Sequence, residues 1–467
     1  MRLLFESEDH IMTFRLKILK MHPANLVLAS FISAIALATL LLKLPISTRN
    51  GHIDWIDALF TATSAVCVTG LTVVDTGSYF SAFGQAVIIV LIQIGGLGVM
   101  TISVALFQWI GRSVSIRHRM AMQDLFAHTP REDIFSLVKS IVFFAFGAEA
   151  LGAVLLTIQW SRELPVPQAA YTAVFHAISA FCNAGFSLFS DSLMRYREDI
   201  FINTTICGLI FFGGIGFPVL YELQCLARIS EPKRCRLSIQ TKTVLAATMI
   251  LIAAGTLMFA FLEDQSGHSG SSWGRHLMIS AFQSITCRTA GFNTVDIASL
   301  KESTLAMMIF LMFIGASPGS CGGGVKTTTL ALLSAFTLSR MLRKKRVNMF
   351  KKSIPPETVS RSVSLVLMST AGICLVLFLL LVGTPVNNVE AAKSHGPFLT
   401  LLFETVSAFG TVGLSMGVTP ALNTWGKFWI VAMMVVGRVG ILTFAYIIVG
   451  TKPVKGIEYS EENLMIG

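Results

Sequence analysis

The chain has 467 residues, of which 53% are hydrophobic and only 13% are charged. A soluble domain carries about 25% charged residues, so this composition excludes an ordinary water-soluble protein and predicts an integral membrane protein. The formal net charge of +10 indicates basic loops on one membrane face rather than nucleic-acid binding, because the basic residues lie between apolar segments.

Eight apolar segments are each long enough to cross a bilayer as a helix, which needs about 20 residues. In chain order they are 25–45, 82–110, 135–159, 201–226, 242–262, 303–338 with an interruption, 361–383 and 425–450. Within each consecutive pair lies a shorter apolar run, at 57–67, 170–182, 278–287 and 398–409. Runs of that length predict re-entrant or interfacial helices. The chain therefore divides into four units, 1–120, 121–235, 236–350 and 351–467.

Basic residues cluster before the first span and after the second, fourth, sixth and eighth spans. Cytoplasmic loops of membrane proteins collect Lys and Arg. If eight helices cross alternately, all these clusters fall on one face. The sequence therefore predicts that both termini are cytoplasmic and that the four short helices lie toward the external face.

Each short helix is followed by a loop with a common pattern, in which Gly precedes a bulky apolar residue and then Thr, Ser or Asn. The loops are Ser64–Thr72, Ser179–Ser187, Thr286–Asn293 and Ser407–Ser415. A phenylalanine recurs upstream, at Phe60, Phe175, Phe282 and Phe403, and the third loop is one residue shorter when counted from it. Four such units predict a fourfold internal repeat.

Non-helical backbone at membrane depth must line a cavity or be buried in protein. Four loops around one axis would form rings of carbonyl oxygens that replace the hydration shell of a monovalent cation, with no side-chain metal ligand. The predicted filter residues are Val68, Thr69, Gly70, Leu71, Asn183, Ala184, Gly185, Phe186, Thr289, Ala290, Gly291, Phe292, Thr411, Val412, Gly413 and Leu414. Asp75 and Asp296 follow two of the loops, either as charges at the mouth or as ordinary solvated loop residues.

The sixth span is broken by a run of glycines and a proline, which cannot continue a helix. The run comprises Gly315, Ala316, Ser317, Pro318, Gly319, Ser320, Cys321, Gly322, Gly323 and Gly324. A phosphate-binding loop is the alternative, but it requires Gly directly before Lys, and Val325 precedes Lys326. We therefore expect this segment to line the pore. Glycines also cluster at 95–98, 213–216 and 437–440, where we interpret the first two clusters as close helix packing.

Arg438 lies in the middle of the eighth span, where a charge is costly and favours a functional role. We expect it to contact the 315–325 segment as an electrostatic barrier in the closed pore; a structural pairing with carbonyls or a carboxylate is the alternative. Lys326 is either a second gate charge or a side chain that extends to the interface. We interpret Glu149 as a buried structural carboxylate, and expect Glu404 and His176 to hydrogen-bond within the short helices.

On these motifs the chain resembles the superfamily of Trk, Ktr and HKT potassium transporters, most closely the Ktr-type membrane subunit, over about residues 22–450. The resemblance implies an all-α integral membrane fold. Four repeats of helix, re-entrant pore helix and helix (M1-P-M2) surround a pseudo-fourfold pore, with eight transmembrane helices. It also implies that the 315–324 segment is an intramembrane gate, with Arg438 near it. In the sodium-selective plant branch a serine replaces the first filter glycine, so Gly70 favours K⁺.

The same resemblance implies a homodimer in a bacterial inner membrane, bound to an octameric cytoplasmic ring of RCK subunits of the KtrA type that binds ATP or ADP. K⁺ is then the transported ion, with Na⁺ as an activator or co-ion. This sequence has no G-x-G-x-x-G motif, so we expect no nucleotide to bind it directly. Candidate surfaces for the ring are 112–133, 227–241 and 452–467.

Three alternatives differ in function. A sodium-permeable relative or Na⁺–K⁺ cotransporter would share the architecture. A secondary transporter of an organic solute usually has two inverted repeats, which four parallel units do not match. An enzyme is not expected, because the sequence has no H-E-x-x-H motif and no clustered pair of acidic residues within the apolar segments.

Overall fold

The computed structural model describes residues 23–98, 134–227, 237–263, 273–386 and 389–441, and these ranges are mostly helical. The first unit contains α1 (Pro23–Lys43), α2 (Trp55–Val66), α3 (Thr76–Tyr79) and α4 (Ala82–Leu97), and the second contains α5 (Ile134–Trp160), α6 (Val166–Phe181), α7 (Ile200–Gly214) and α8 (Phe217–Ala227). The third contains α9 (Ile239–Glu263), α10 (Trp273–Thr286), α11 (Glu302–Phe313), α12 (Thr327–Met341) and a small antiparallel hairpin of β1 (Asn348–Met349) and β2 (Lys352–Ser353). The fourth contains α13 (Pro356–Gly383), α14 (Glu390–Gly410) and α15 (Thr424–Val439).

Three of the described helices are individually long and apolar enough to cross a membrane: Val138–Trp160, Ile239–Glu263 and Pro356–Gly383. Large apolar side chains on these helices face outward, such as Phe143 (83% exposed), Phe261 (72%) and Val382 (73%). Apolar surface of this kind is stable only when lipid or protein covers it. The predicted total of eight spans stays a prediction, since 99–110 and 442–450 lie outside the described residues.

The four units pack in a closed ring. The helix that follows each loop contacts the short helix of the next unit: α4 contacts α6, α7 contacts α10, α11 contacts α14 and α15 contacts α2. An ion pair between Lys427 Nζ and Asp57 Oδ1 (2.6 Å) joins α15 to α2, where the fourth unit meets the first. The four loops that follow the short helices therefore converge at the centre of the ring.

The prediction of one continuous helix over 201–226 is wrong. α7 and α8 meet at a bend of 99°. Gly216 there has φ +99°, a left-handed conformation that favours glycine, and Pro218 cannot donate a backbone hydrogen bond. The Phe217 amide instead donates to the Gly319 carbonyl at 2.8 Å. The interrupted sixth span therefore supplies the acceptor for an amide that has no helical partner at the bend.

The corresponding helices of two other units end at an equivalent place. α4 is followed by Gly98 with φ +84°, and α15 by Gly440 with φ +95°. In the first and second glycine clusters, 95–98 and 213–216, a Cβ atom added at Gly95 or Gly213 would overlap the carbonyl oxygen of Val66 or Phe181, at the end of a short helix. The close packing predicted for these two clusters is therefore confirmed.

The fourth short helix begins earlier than the predicted 398–409. α14 runs from Glu390 to Gly410, but Gly396 has a non-helical conformation (φ 77°, ψ 152°) followed by Pro397. These two residues divide α14 into an outer turn and the predicted short helix. The recurring phenylalanines are buried at equivalent positions, with at most 3% exposure: Phe60, Phe175, Phe282 and Phe403.

Candidate functional site

The glycines of the four loops form a closed ring at the centre of the molecule. A Cβ atom added at each glycine would lie against the carbonyl oxygen of the residue before the next glycine. The pairs in order around the ring are Gly70 with Ala184, Gly185 with Ala290, Gly291 with Val412 and Gly413 with Thr69. The structure thus brings together four carbonyl oxygens, one from each predicted filter loop, in a ring that no side chain could enter without displacing backbone.

Each loop adopts the same unusual backbone conformation. The glycine has a positive φ, and so does the residue two positions before it. These preceding residues are Val68 (φ 57°), Asn183 (φ 59°), Thr289 (φ 73°) and Thr411 (φ 50°). A left-handed conformation is costly for a residue with a β-carbon, and at functional sites the surrounding structure sustains it.

Hydroxyl side chains of the short helices hold the loops in this conformation. Ser64 Oγ donates to the Leu71 carbonyl at 2.7 Å, and Ser179 Oγ donates to the Phe186 carbonyl at 2.8 Å. In the third unit Thr286 Oγ1 donates to the Phe292 carbonyl at 2.6 Å. In the fourth, Ser407 Oγ accepts from the Gly413 amide at 3.1 Å. The sequence showed these residues as part of the repeat, but not their contacts.

A cavity of about 180 Å³ opens on one side of the ring and is lined by all four glycines. Two carboxylates, Asp75 and Asp191, also line it. Asp75 lies where the sequence analysis placed a mouth charge, whereas Asp296 does not line this cavity and accepts from the Ala298 amide at 3.1 Å. Asp191 was missed, because it lies six residues beyond its glycine and outside the aligned loop.

The segment Gly315–Gly324, named here the GASPG loop, lies against the opposite side of the ring. The Gly323 amide donates to Thr411 Oγ1 at 2.8 Å, and a Cβ atom at Gly322 would overlap Thr289 Oγ1. The loop is also tied to the end of α7, where the amides of Ser317 and Cys321 donate to the carbonyls of Gly214 and Gly213, each at 3.2 Å. The predicted gate residues therefore contact the predicted filter directly.

Two basic side chains donate hydrogen bonds to carbonyl oxygens of the GASPG loop. The Arg438 guanidinium donates to the carbonyls of Cys321 and Gly95, so it links the loop to both α15 and α4. Lys326 Nζ donates to the carbonyls of Gly322 (2.7 Å) and Gly323 (3.3 Å). Lys326 therefore folds back onto the loop, and the alternative in which it extends to the membrane interface is wrong.

Three buried polar residues outside the filter were also considered in the sequence. Glu149 accepts from Gln93 Nε2 at 2.9 Å, which agrees with a structural carboxylate. Glu404 and His176 were expected to bond within the short helices. His176 Nδ1 does bond to the Thr172 carbonyl within α6, but both residues also reach the loops beyond the glycines, so the expectation was incomplete.

The family profile described as "TrkH: Cation transport protein" matches residues 9–453 of the chain. The chain is 39% identical over 445 residues to the Ktr system potassium uptake protein B of Vibrio alginolyticus, covering 95% of this chain and 94% of that protein. It is 34% identical to the potassium/sodium uptake protein NtpJ of Enterococcus hirae, covering 96% and 98%. The crystal structure of the potassium transporter TrkH from Vibrio parahaemolyticus shares its fold, with a TM-score of 0.71 at 18% identity, over 92% of this chain and 85% of that one.

Proposed function

The chain belongs to the TrkH family of cation transport proteins, and on that premise we propose that it is the potassium-translocating membrane subunit of a Ktr-type uptake system. The resemblance noted from the sequence is confirmed, and its relatives are transport proteins, not enzymes. The observation that carries the proposal is the closed ring of four glycines and four carbonyl oxygens. Carbonyl rings of this kind replace the water around a dehydrated monovalent cation.

The proposed ion path runs from the cavity lined by Asp75 and Asp191, through the glycine ring, to the GASPG loop. The two carboxylates raise the local concentration of cations at the entrance. Gly70 favours K⁺ over Na⁺, because a glycine leaves the first loop free to present the same carbonyl geometry as the other three. Na⁺ is an activator or co-ion in this proposal, supported by the relative that is named a potassium/sodium uptake protein.

The proposed gate is the GASPG loop with Arg438 and Lys326. The loop closes the inner side of the glycine ring, and both basic side chains bind its carbonyl oxygens. Two positive charges on the carbonyls of the loop that closes the ring oppose the passage of a cation. Opening therefore requires that the loop and the Arg438 guanidinium move apart.

We also propose that the chain acts as a homodimer in a bacterial inner membrane, with both termini on the cytoplasmic side. An octameric RCK ring that binds ATP or ADP then contacts the cytoplasmic face of the dimer. The name of the Vibrio alginolyticus relative, protein B of a Ktr system, supports a multi-component assembly. The candidate contact segments 112–133 and 452–467 lie outside the described residues, as does most of 227–241. The α8 helix ends at Ala227, so the bend at Gly216 connects one candidate surface to the GASPG loop.

Uptake into liposomes tests the transport claim. The purified chain, reconstituted into bacterial lipid, should take up K⁺ down a gradient, with a smaller flux of Na⁺ under matched conditions. The K⁺ uptake is then repeated with equal Na⁺ on both sides of the membrane, which measures whether Na⁺ activates the K⁺ flux. Absence of K⁺ uptake from a protein shown to be folded and inserted would overturn the proposal.

A further inference from the structure

One position in the repeat carries a buried polar side chain in every unit. It directly follows the recurring phenylalanine of the short helix and is occupied by Thr61, His176, Gln283 and Glu404. All four residues are at most 2% exposed. A buried polar group is costly unless it is hydrogen-bonded, so the partners of these side chains indicate what the position does.

Glu404 holds the loop of the fourth unit with both carboxylate oxygens. Oε1 accepts from Ser415 Oγ at 2.5 Å and from the Met416 amide at 3.1 Å. Oε2 accepts from Thr419 Oγ1 at 2.9 Å. Ser415 in turn accepts from the Gly417 amide at 2.9 Å, so the network extends from the helix interior to the exposed end of the loop.

The second unit makes the corresponding contact with a different side chain. His176 Nε2 lies 3.0 Å from Ser187 Oγ, and Ser187 Oγ accepts from the Phe189 amide at 2.9 Å. Ser187 and Ser415 each lie two residues beyond the filter glycine of their unit, and both line the outer cavity.

In the third unit Gln283 Nε2 donates to Thr294 Oγ1 at 3.1 Å, three residues beyond its glycine. Three chemically different side chains thus make the same contact, each with a hydroxyl eleven residues further along the chain. The first unit is the exception. Within the described part of the chain, the Thr61 hydroxyl has no hydrogen-bond partner.

Resting on the proposed potassium pathway, we propose that His176, Gln283 and Glu404 are positioning residues that fix the outer ends of three filter loops and thereby maintain discrimination of K⁺ against Na⁺. They act through the loop residues, since none of the three contacts the ring of glycines and carbonyl oxygens. A filter that can contract accommodates the smaller Na⁺, and each contact opposes that contraction at one side of the ring. The first loop lacks this contact and depends on the bonds made by Ser64.

The test compares K⁺/Na⁺ permeability ratios of reconstituted variants. Gln283→Leu should lower the ratio about fivefold, the factor that corresponds to one net hydrogen bond of about 1 kcal/mol. Glu404→Leu removes the acceptor of three hydrogen bonds and should lower the ratio at least as much. Glu404→Gln keeps an acceptor for Ser415 and should retain most of the ratio. Thr61→Val is the matched control, because it changes the same position in the unit without a contact, and it should leave the ratio unchanged.

A double-mutant cycle isolates the contact, and its single change Ser415→Ala tests the contact even if Glu404→Leu does not fold. Ser415→Ala removes a single hydroxyl near the loop surface and should lower the ratio in the wild-type background. In the Glu404→Leu background the same change should have little further effect, because the partner is already gone.

The outcomes distinguish this proposal from the proposed function. If the wild type transports K⁺ selectively but Gln283→Leu, Glu404→Leu and Ser415→Ala change only the amount of folded protein or the total flux, the positioning role is wrong. It is also wrong if Thr61→Val lowers the ratio as much as the others. If the wild type does not prefer K⁺, the proposed function fails and this proposal fails with it.

Discussion

At the scale of single residues, Arg438 links three elements of the structure: α15, the GASPG loop and α4. The sequence indicated a functional charge within the last span, and its contacts are the carbonyls of Cys321 and Gly95. Hydrogen bonds from a charged group each contribute about 1.5–3 kcal/mol, so the guanidinium substantially stabilises the position that the GASPG loop adopts in the structure.

We predict that Arg438→Gln raises the basal K⁺ leak about tenfold, since the loss of about 1.4 kcal/mol from the closed state shifts its equilibrium by that factor. The measurement is K⁺ efflux from loaded liposomes without any partner protein. Arg361→Gln is the control, because Arg361 is exposed on α13 and pairs only with Glu357 among the described residues. Equal leaks in the two variants would contradict a gating role for Arg438.

Some residues and contacts of the candidate site could be predicted from the sequence, and others could not. The glycines and the recurring phenylalanines were found because they repeat at nearly fixed spacing. The partners of His176 and Glu404 were not found, because a hydrogen bond from a helix to the loop above it depends on how the loop folds back. Asp191 was missed because it lies beyond the aligned loop, and only the fold brings it to the cavity.

At the scale of elements, the GASPG loop and the bend between α7 and α8 form one unit. The bend leaves the Phe217 amide and the Gly213 and Gly214 carbonyls without helical partners, and the loop supplies those partners. The break in the sixth span was predicted from its own Pro and Gly residues. The break in the fourth span was missed although Gly216 and Pro218 lie at it, because the glycine cluster there was interpreted only as close helix packing. The segment that stabilises this bend lies about 100 residues away along the chain.

Displacing the GASPG loop should open the pathway. We predict that Gly322→Ala, whose methyl group would overlap Thr289 Oγ1, increases basal K⁺ flux without loss of protein from the membrane. Gly208→Ala is the matched control, because nothing lies within 4 Å of the position of its added methyl group. Removal of Ser317 to Gly324 should give constitutive flux, and unchanged flux in both the deletion and Gly322→Ala would rule out the loop as the gate.

At the scale of the whole molecule, the ring closes where the fourth unit meets the first. The pair of Lys427 and Asp57 is largely buried, with side-chain exposures of 13% and 17%. Removing one member of a buried pair leaves an uncompensated charge, which is more costly than breaking an exposed pair.

We therefore predict that Lys427→Met lowers the thermal unfolding midpoint in detergent by several degrees, because Asp57 is left as an uncompensated, largely buried charge. The comparison is Arg275→Met, which breaks the exposed pair with Glu198 and should change the midpoint little. Equal shifts in the two variants would show that closure of the ring does not depend on the buried pair.

The membrane class and the four glycine loops that meet at the centre of the molecule could be predicted from composition and repetition alone. The order of the units around the ring could not, because it depends on contacts between α15 and α2 and between the other successive units. Partner regulation is a prediction at this scale as well: rescue of transport that requires an RCK partner would support a Ktr-type assembly.

The decisive measurement of the proposed filter is growth of an uptake-deficient bacterium at limiting K⁺, with the chain or its Gly70→Ser variant expressed beside an RCK partner. The wild type should restore growth. Gly70→Ser should reach the membrane but lose K⁺ preference, because residue 70 has φ +91° and its new β-carbon would overlap the Ala184 carbonyl oxygen. Wild-type protein that is present in the membrane without restoring growth, or a Gly70→Ser variant with unchanged K⁺ preference, would contradict a filter built from these four loops.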